Sequence, residues 1–362
     1  MSVFADRRER VHQRLGEDVE ALFVTAPVNV RYLTGFTGSN GQLLLDAKPI
    51  FFTDGRYDEQ STTQVPDLER LIYAGDRKMT DLLGPVLADR GTRRLGVEAA
   101  HTTLSSFEKW HAALSDIELV HVSEAVEAVR ARKDEVEIAA IRRAQGIAEA
   151  AVSSVLLAWE NGTEADLALA LELEMRTGGA EGVAFEVIVA TGPHSALPHA
   201  SPRRERADLD EILLIDIGAK ADGYCSDMTR TYLGPHAPEA LSGAHDAVLR
   251  ALEAGCAAVR PGKRTSDVDR AAREVLEKEG LGDRFVHSTG HGVGLDIHES
   301  PSLTISAEDV LEPGMVVTIE PGVYLPGVGG VRVEDLLVVT QDGAENLTTL
   351  DRGSKFREAG WS

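Results

Sequence analysis

The sequence predicts two domains, an α/β domain over residues 1–128 and an α+β domain over residues 129–362. Three observations carry this division. A chain of 362 residues is longer than one hydrophobic core usually serves. As far as about residue 125, short apolar runs alternate with helical patterns, as in an α/β layer. From residue 133 onward, pairs of long amphipathic helices alternate with strand passages rich in glycine towards the C-terminus.

In the first domain, EALFVT (20–25), GQLLLD (41–46), PIFFTD (49–54), RLGVE (94–98) and IELVHV (117–122) read as strands. Residues 5–15, 57–64, 79–90 and 103–114 read as helices. The second domain opens on a helix over 133–159, where Ile138, Ile141, Ala148, Val152 and Leu156 recur at helical spacing. Asn161 and Gly162 stop it, and Thr163 with Asp166 starts a second helix over 163–177. FEVIVATG (185–192) and EILLIDIGA (211–219) follow as strands. Helices at 238–259 and 265–280 come next, then a strand-rich stretch from 285 to 340. The order helix, helix, strands thus occurs twice and suggests an internal repeat.

Composition narrows the function. Lys plus Arg number 37 against 59 Asp plus Glu, a formal charge of −22, which disfavours a nucleic-acid partner. No apolar run approaches the roughly 20 residues that span a bilayer, so no membrane association is expected. The opening MSVFADRRER has charge but no apolar h-region, and a cytoplasmic protein is expected. Cys225 and Cys256 are too few for a disulfide framework and form no CxxC pair.

The chemistry lies in acids that interrupt apolar strands. Asp216 breaks the run ILLIDI, and Asp227 follows eleven residues later. The Asp-Gly signal in AKADGY predicts a hairpin between them. A centre between Ala221 and Asp222 sets Asp216 opposite Asp227, where two ionised carboxylates repel unless a cation intervenes. The alternative is a solvated pair at a strand end. Glu320 ends the apolar run MVVTI, and Glu334 sits inside VRVEDLLVV with Arg332 on the same face. Between these acids lies HSTGHGVGLDIHE (287–299), carrying His287, His291 and His298. Its glycines exclude an HExxH helix and the GxGxxG pattern, and suit a tight loop against a ligand. Four carboxylates and one imidazole can hold two divalent cations, Mn²⁺ foremost, with Co²⁺, Zn²⁺ or Fe²⁺ also admitted. Other histidines, His199 in SALPHASP among them, could orient a substrate or move protons.

The order Asp216, Asp227, His291, Glu320, Glu334, in the frames DIGA, SDMTRT, GHGVGLDIHE, IEPGVY and VRVED, resembles the pita-bread metallopeptidases. VRYLTGFTGS (30–39) and FFTDGRY (51–57) resemble the creatinase-type N-terminal domain of the proline-specific branch, aminopeptidase P and prolidase. The resemblance implies that Asp227 and Glu334 bridge two metal ions. Asp216 would complete one ion, and His291 with Glu320 the other. It implies that Glu320 is the general base for a metal-bridging water. His199 and His298 would bind substrate and shuttle protons, His287 would match a histidine of aminopeptidase P, and Arg332 would support the bridging glutamate. The implied activity is hydrolysis of the Xaa-Pro bond at the N-terminus of short proline-containing peptides, by a homodimer. Creatinase shares the fold without these ligands, and non-catalytic binding relatives have lost them. Some prolidases carry an arginine after HE-x-P, where this chain has Ser302. That departure favours an aminopeptidase over a strict dipeptidase, unless Arg203, Arg204 or Arg206 takes the arginine's place.

Overall fold

Glu98 shows how the first unit is assembled. It ends the strand Arg94–Glu98 and is 6% exposed. Its carboxylate accepts the backbone N–H groups of Thr25 and Ala26 at 2.6 and 2.8 Å, and Asn29 Nδ2 at 2.8 Å. Ala26 cannot cap a helix with its own side chain, so this borrowed carboxylate satisfies donors at the start of Pro27–Thr34. That helix is not evident from the sequence pattern. Its PVNVRYLT sequence has five residues of modest helix propensity, Val28, Asn29, Val30, Tyr32 and Thr34, and burial of Val30, Tyr32 and Leu33 favours the helix.

The computed structural model describes residues 2–353 and 355. It separates into a unit ending at Arg130 and a unit beginning at Ala131. The first unit holds a six-stranded mixed sheet in the order Glu69–Tyr73, Ile50–Asp54, Gly41–Leu45, Ala21–Val24, Arg94–Glu98, Glu118–Val122. Its three central strands pair antiparallel and its outer pairs run parallel. Phe23, Leu44, Phe52 and Leu95 pack on one face with Leu83 and Leu87 of the helix Met79–Arg90. Glu69–Tyr73 is a strand the sequence analysis misses. It is a half-exposed edge in which Glu69 and Arg70 interrupt the apolar signal.

In the second unit, each helix pair packs on its own sheet. Asp134 caps Glu135–Ala158 through the Val136 and Glu137 N–H groups, and Thr163 caps Glu164–Thr177 in a box with Asp166. Ala144, Ala148, Val152, Leu167 and Leu171 from these helices meet Leu213, Ile215 and Ile217. The sheet they cover orders Met228–Leu233, Ile212–Ile217 and Ile188–Thr191, all antiparallel. Glu239–Ala258 and Thr265–Lys278 form the second pair, covering Val317, Ile319, Val331 and Leu337. Their sheet orders Glu299–Leu303, Gly290–Gly292, Val316–Ile319, Asp335–Val339 and Ala344–Asn346. The hairpin Gly322–Leu325 with Gly329–Arg332 completes this half. Cys225 and Cys256 are not joined by a disulfide. Among the described residues no helix is long and apolar enough to cross a membrane.

Candidate metal centre

The hairpin carrying Asp216 and Asp227 turns at Asp222-Gly223, both with positive φ (52° and 85°). A two-residue turn of this type needs its φ-permissive residues at the two central positions. The centre therefore lies one residue later than the sequence analysis places it. Asp216 pairs with Thr229, and Asp227 becomes its diagonal neighbour on the same face. The directly opposed carboxylates are instead Glu320 and Glu334. Ile319 pairs with Asp335 and Gly322 with Arg332, and the register between them sets 320 across from 334. Glu334 also lies at a break between two strands, not inside one, as do Glu320 and Asp227.

Gly290 and Gly292 explain how His291 reaches this face. A Cβ at Gly290 would lie 2.0 Å from the Thr318 carbonyl oxygen, and one at Gly292 would lie 2.3 Å from the Ser300 oxygen. Only glycine lets the three chains approach so closely. His291 N–H donates to Thr318 Oγ1 at 3.1 Å, and His291 Nδ1 donates to the Gly292 carbonyl at 3.0 Å. That bond places the proton on Nδ1 and leaves Nε2 with a free lone pair. Nε2 lies 3.5 Å from Asp227 Oδ2 and 3.4 Å from Glu320 Oε1.

The acids are not solvated, since Asp227 and Glu334 are 5% and 2% exposed. Burial, then the charge of Glu334, pushes the Asp227 carboxyl well above the usual range. Burial and the charge of Glu320 do the same to Glu334. Glu320 is pushed up to about 8 by burial, against the opposing charge of Arg332. Burial lowers His291 to about 4, so its imidazole is neutral at pH 7. One cation answers this cluster from within. Arg332 Nη2 donates to Asp216 Oδ2 at 2.6 Å, Nη1 to Tyr324 Oη at 2.7 Å and the Pro198 carbonyl at 3.2 Å, and Nε to Thr229 Oγ1 at 3.1 Å. The Thr229 hydroxyl in turn donates a hydrogen bond to Glu334 Oε2 at 2.7 Å.

All nine residues singled out from the sequence line one cavity of about 530 Å³: His199, Asp216, Asp227, His287, His291, His298, Glu320, Arg332 and Glu334. His298 stacks edge-on to His291, with ring centroids 4.4 Å apart. His287 donates from Nδ1 to the Ser288 carbonyl at 2.8 Å, so its Nε2 accepts the Tyr324 hydroxyl at 2.9 Å. Burial and the nearby Arg332 hold it down at about 4, which keeps it neutral. Tyr324 thus links Arg332 to His287. It stands in the frame IEPGVY, but nothing in a sequence pattern marks its hydroxyl as a junction. Arg203 does not line the cavity. It forms a bidentate pair with Glu164 and an ion pair with Glu205, so the sequence-based expectation that it could clamp a substrate carboxylate fails.

Residues 139–341 match metallopeptidase family M24, and residues 7–132 match the creatinase/prolidase N-terminal domain. The chain belongs to metallopeptidase family M24. An Xaa-Pro dipeptidase of Pyrococcus furiosus is 33% identical over 96% of this chain and 99% of its own length. The structure of an Xaa-Pro dipeptidase from Bacillus anthracis superposes with a TM-score of 0.92 at 34% identity, covering 97% of this chain and 99% of that one. An X-Pro aminopeptidase from Thermotoga maritima gives 0.88 at 33% identity, over 96% and 99% of the two chains. The α/β unit is therefore a creatinase-type N-terminal domain, and the α+β unit is the pita-bread domain of M24.

The donor set of this M24 chain fits a cation. Ligand atoms of Asp227, His291 and Glu334 all lie within 4.8 Å of one another. Asp216 Oδ1 is buried without a protein hydrogen-bond partner and lines the same cavity. An oxygen-rich set with one imidazole is the chemistry that Mn²⁺ and its neighbours accept.

Proposed function

We propose that this protein removes the first residue from peptides whose second residue is proline, with two divalent ions, Mn²⁺ foremost, in the cavity. The observation that carries the aminopeptidase reading is the state of the cavity's arginine. Among the described lining residues Arg332 is the only guanidinium, and each of its three nitrogens already donates, four hydrogen bonds going to Asp216, Tyr324, Thr229 and the Pro198 carbonyl. A strict dipeptidase must hold a carboxylate directly after proline, which bidentate arginine does best. Ser302 lines the cavity where that arginine would be needed.

Asp227 and Glu334 would hold both ions, Asp216 would complete one, and His291 with Glu320 the other. When bound, the ions supply Lewis acidity at the scissile carbonyl and make water acidic enough to attack at neutral pH. With the ions bound, Glu320 would be the group placed to accept a proton from the attacking water. His199 and His298, both exposed at the cavity, orient the peptide and carry a proton to the leaving nitrogen. The bond before proline is a tertiary amide without an N–H, so recognition cannot depend on that donor. His287, neutral and held by Tyr324, positions substrate rather than titrating.

The test of specificity is kcat/KM for Ala-Pro against Ala-Pro-Ala. The tripeptide is expected to match or exceed the dipeptide. A dipeptide preference above about a hundredfold, roughly 2.7 kcal/mol, would establish the Xaa-Pro dipeptidase reading instead. His199→Ala and His298→Ala should each keep bound metal and lose about 10²–10⁴-fold in kcat/KM. Full activity in either would remove that histidine from the mechanism. We also infer a homodimer. Sedimentation at micromolar concentration showing only a 38.9 kDa species would contradict it.

A further inference from the structure

Three described carboxylates outside the metal-facing set are buried to 0% exposure, Glu164, Asp269 and Asp335; none lines the cavity, and two of them, Glu164 and Asp269, form a comparable pair. Their surroundings match. Glu164 Oε1 accepts the N–H and the hydroxyl of Thr191, both at 2.9 Å. Asp269 Oδ1 accepts the same two groups of Thr289, at 3.1 and 2.9 Å. Each acid also takes a bidentate arginine. Arg203 reaches Glu164 at 3.0 and 2.9 Å, and Arg273 reaches Asp269 at 2.9 Å through both nitrogens.

What the two acids hold differs. Glu164 Oε2 accepts the Arg203 backbone N–H at 3.0 Å, so one carboxylate ties both ends of the segment 191–203. That segment carries His199 at the cavity. On the other side, Arg273 donates to the carbonyls of Phe285 and His287 at 3.1 and 3.0 Å. The Thr289 carbonyl accepts the Glu320 N–H at 2.8 Å, and His291 follows two residues along.

We propose that Glu164 and Asp269 are positioning residues with divided tasks: Glu164 sets the His199 segment and so governs turnover, while Asp269 sets Glu320 and His291 and so governs metal affinity. The Glu164 half rests on the function proposed above; the Asp269 half does not.

The experiment compares Glu164→Gln and Asp269→Asn in the full chain, reading kcat and KM on Ala-Pro-Ala and Mn²⁺ affinity by calorimetric titration. Glu164→Gln should lower kcat by roughly tenfold to a hundredfold, as expected of a displacement near 1 Å, with Mn²⁺ affinity unchanged. Asp269→Asn should weaken Mn²⁺ binding by about 10–100-fold, the usual effect of losing a residue behind a ligand. Its kcat should return when Mn²⁺ is saturating. Arg203→Gln and Arg273→Gln form the second pair, since their guanidinium groups are partly exposed (37% and 18%) and their loss is gentler on the fold. They should show the same division at smaller size. Variants that lose thermal stability alone, or that shift kcat and Mn²⁺ affinity together, would reduce both acids to structural ties. A wild-type protein inactive on Ala-Pro-Ala would sink the substrate reading, and the Mn²⁺ titration would still decide the Asp269 half.

Discussion

Glu334→Ala is expected to lower bound metal and to reduce kcat/KM by more than about 10³-fold. The reason is position. Glu334 is 2% exposed, lies opposite Glu320 in register, and offers a ligand atom within 4.8 Å of those of Asp227 and His291. A residue serving two ions takes a ligand from each when it is lost. The sign of the stability change separates this role from a packing role. In chelated protein, Glu334 is one of several buried acids that repel one another, so removing it should cost little or even stabilise. With Mn²⁺ present, wild type gains stability by mass action and the variant gains much less. The readouts are metal content and the rise in Tm on adding Mn²⁺. Unchanged metal content with an unchanged rise would end the two-ion reading of Glu334.

The acids were legible because burial makes them anomalous. Asp216 inside ILLIDI, Glu320 after VVTI and Glu334 beside LLVV each stand where an apolar residue would be cheaper. Their geometry was less legible. The one-residue error in the 216/227 hairpin came from the choice of turn centre, and the rule that Asp-Gly occupies the two central positions corrects it. Long helices such as Glu135–Ala158 declare themselves by period and cap, whereas Pro27–Thr34 depends on Glu98, 71 residues from its first residue. Glu164 is hidden for a related reason. In the string TEAD it looks like a first-turn acid complementing a helix dipole, and only the fold brings Thr191, His194 and Arg203 onto it. Arg203, a candidate partner for a substrate carboxylate when read from the sequence, is likewise claimed by Glu164 only in the fold.

Arg332→Met should be the most destabilising single change at the centre. Arg332 is 3% exposed and, among the described residues lining the cavity, is the only permanent cation against Asp216, Asp227, Glu320 and Glu334. Removing one partner of a buried pair typically costs about 3–5 kcal/mol, because the other charge stays behind unpaired. At roughly 2–4 °C per kcal/mol for a unit of this size, the fall in Tm is about 6–20 °C. Bound Mn²⁺ would supply other positive charge to the same acids, so the loss should be larger in chelated protein than in loaded protein. Arg332→Lys should fall between wild type and methionine. A lysine keeps the charge, but one ammonium cannot reproduce the planar fork that reaches Asp216, Tyr324, Thr229 and the Pro198 carbonyl together. Asp216→Asn, added to Arg332→Met in chelated protein, should recover part of the lost stability, since it removes the charge left unpaired. Equal losses with and without metal, and no recovery in the double variant, would mean that Arg332 acts through packing and its hydrogen bond to Pro198 rather than through the acid cluster.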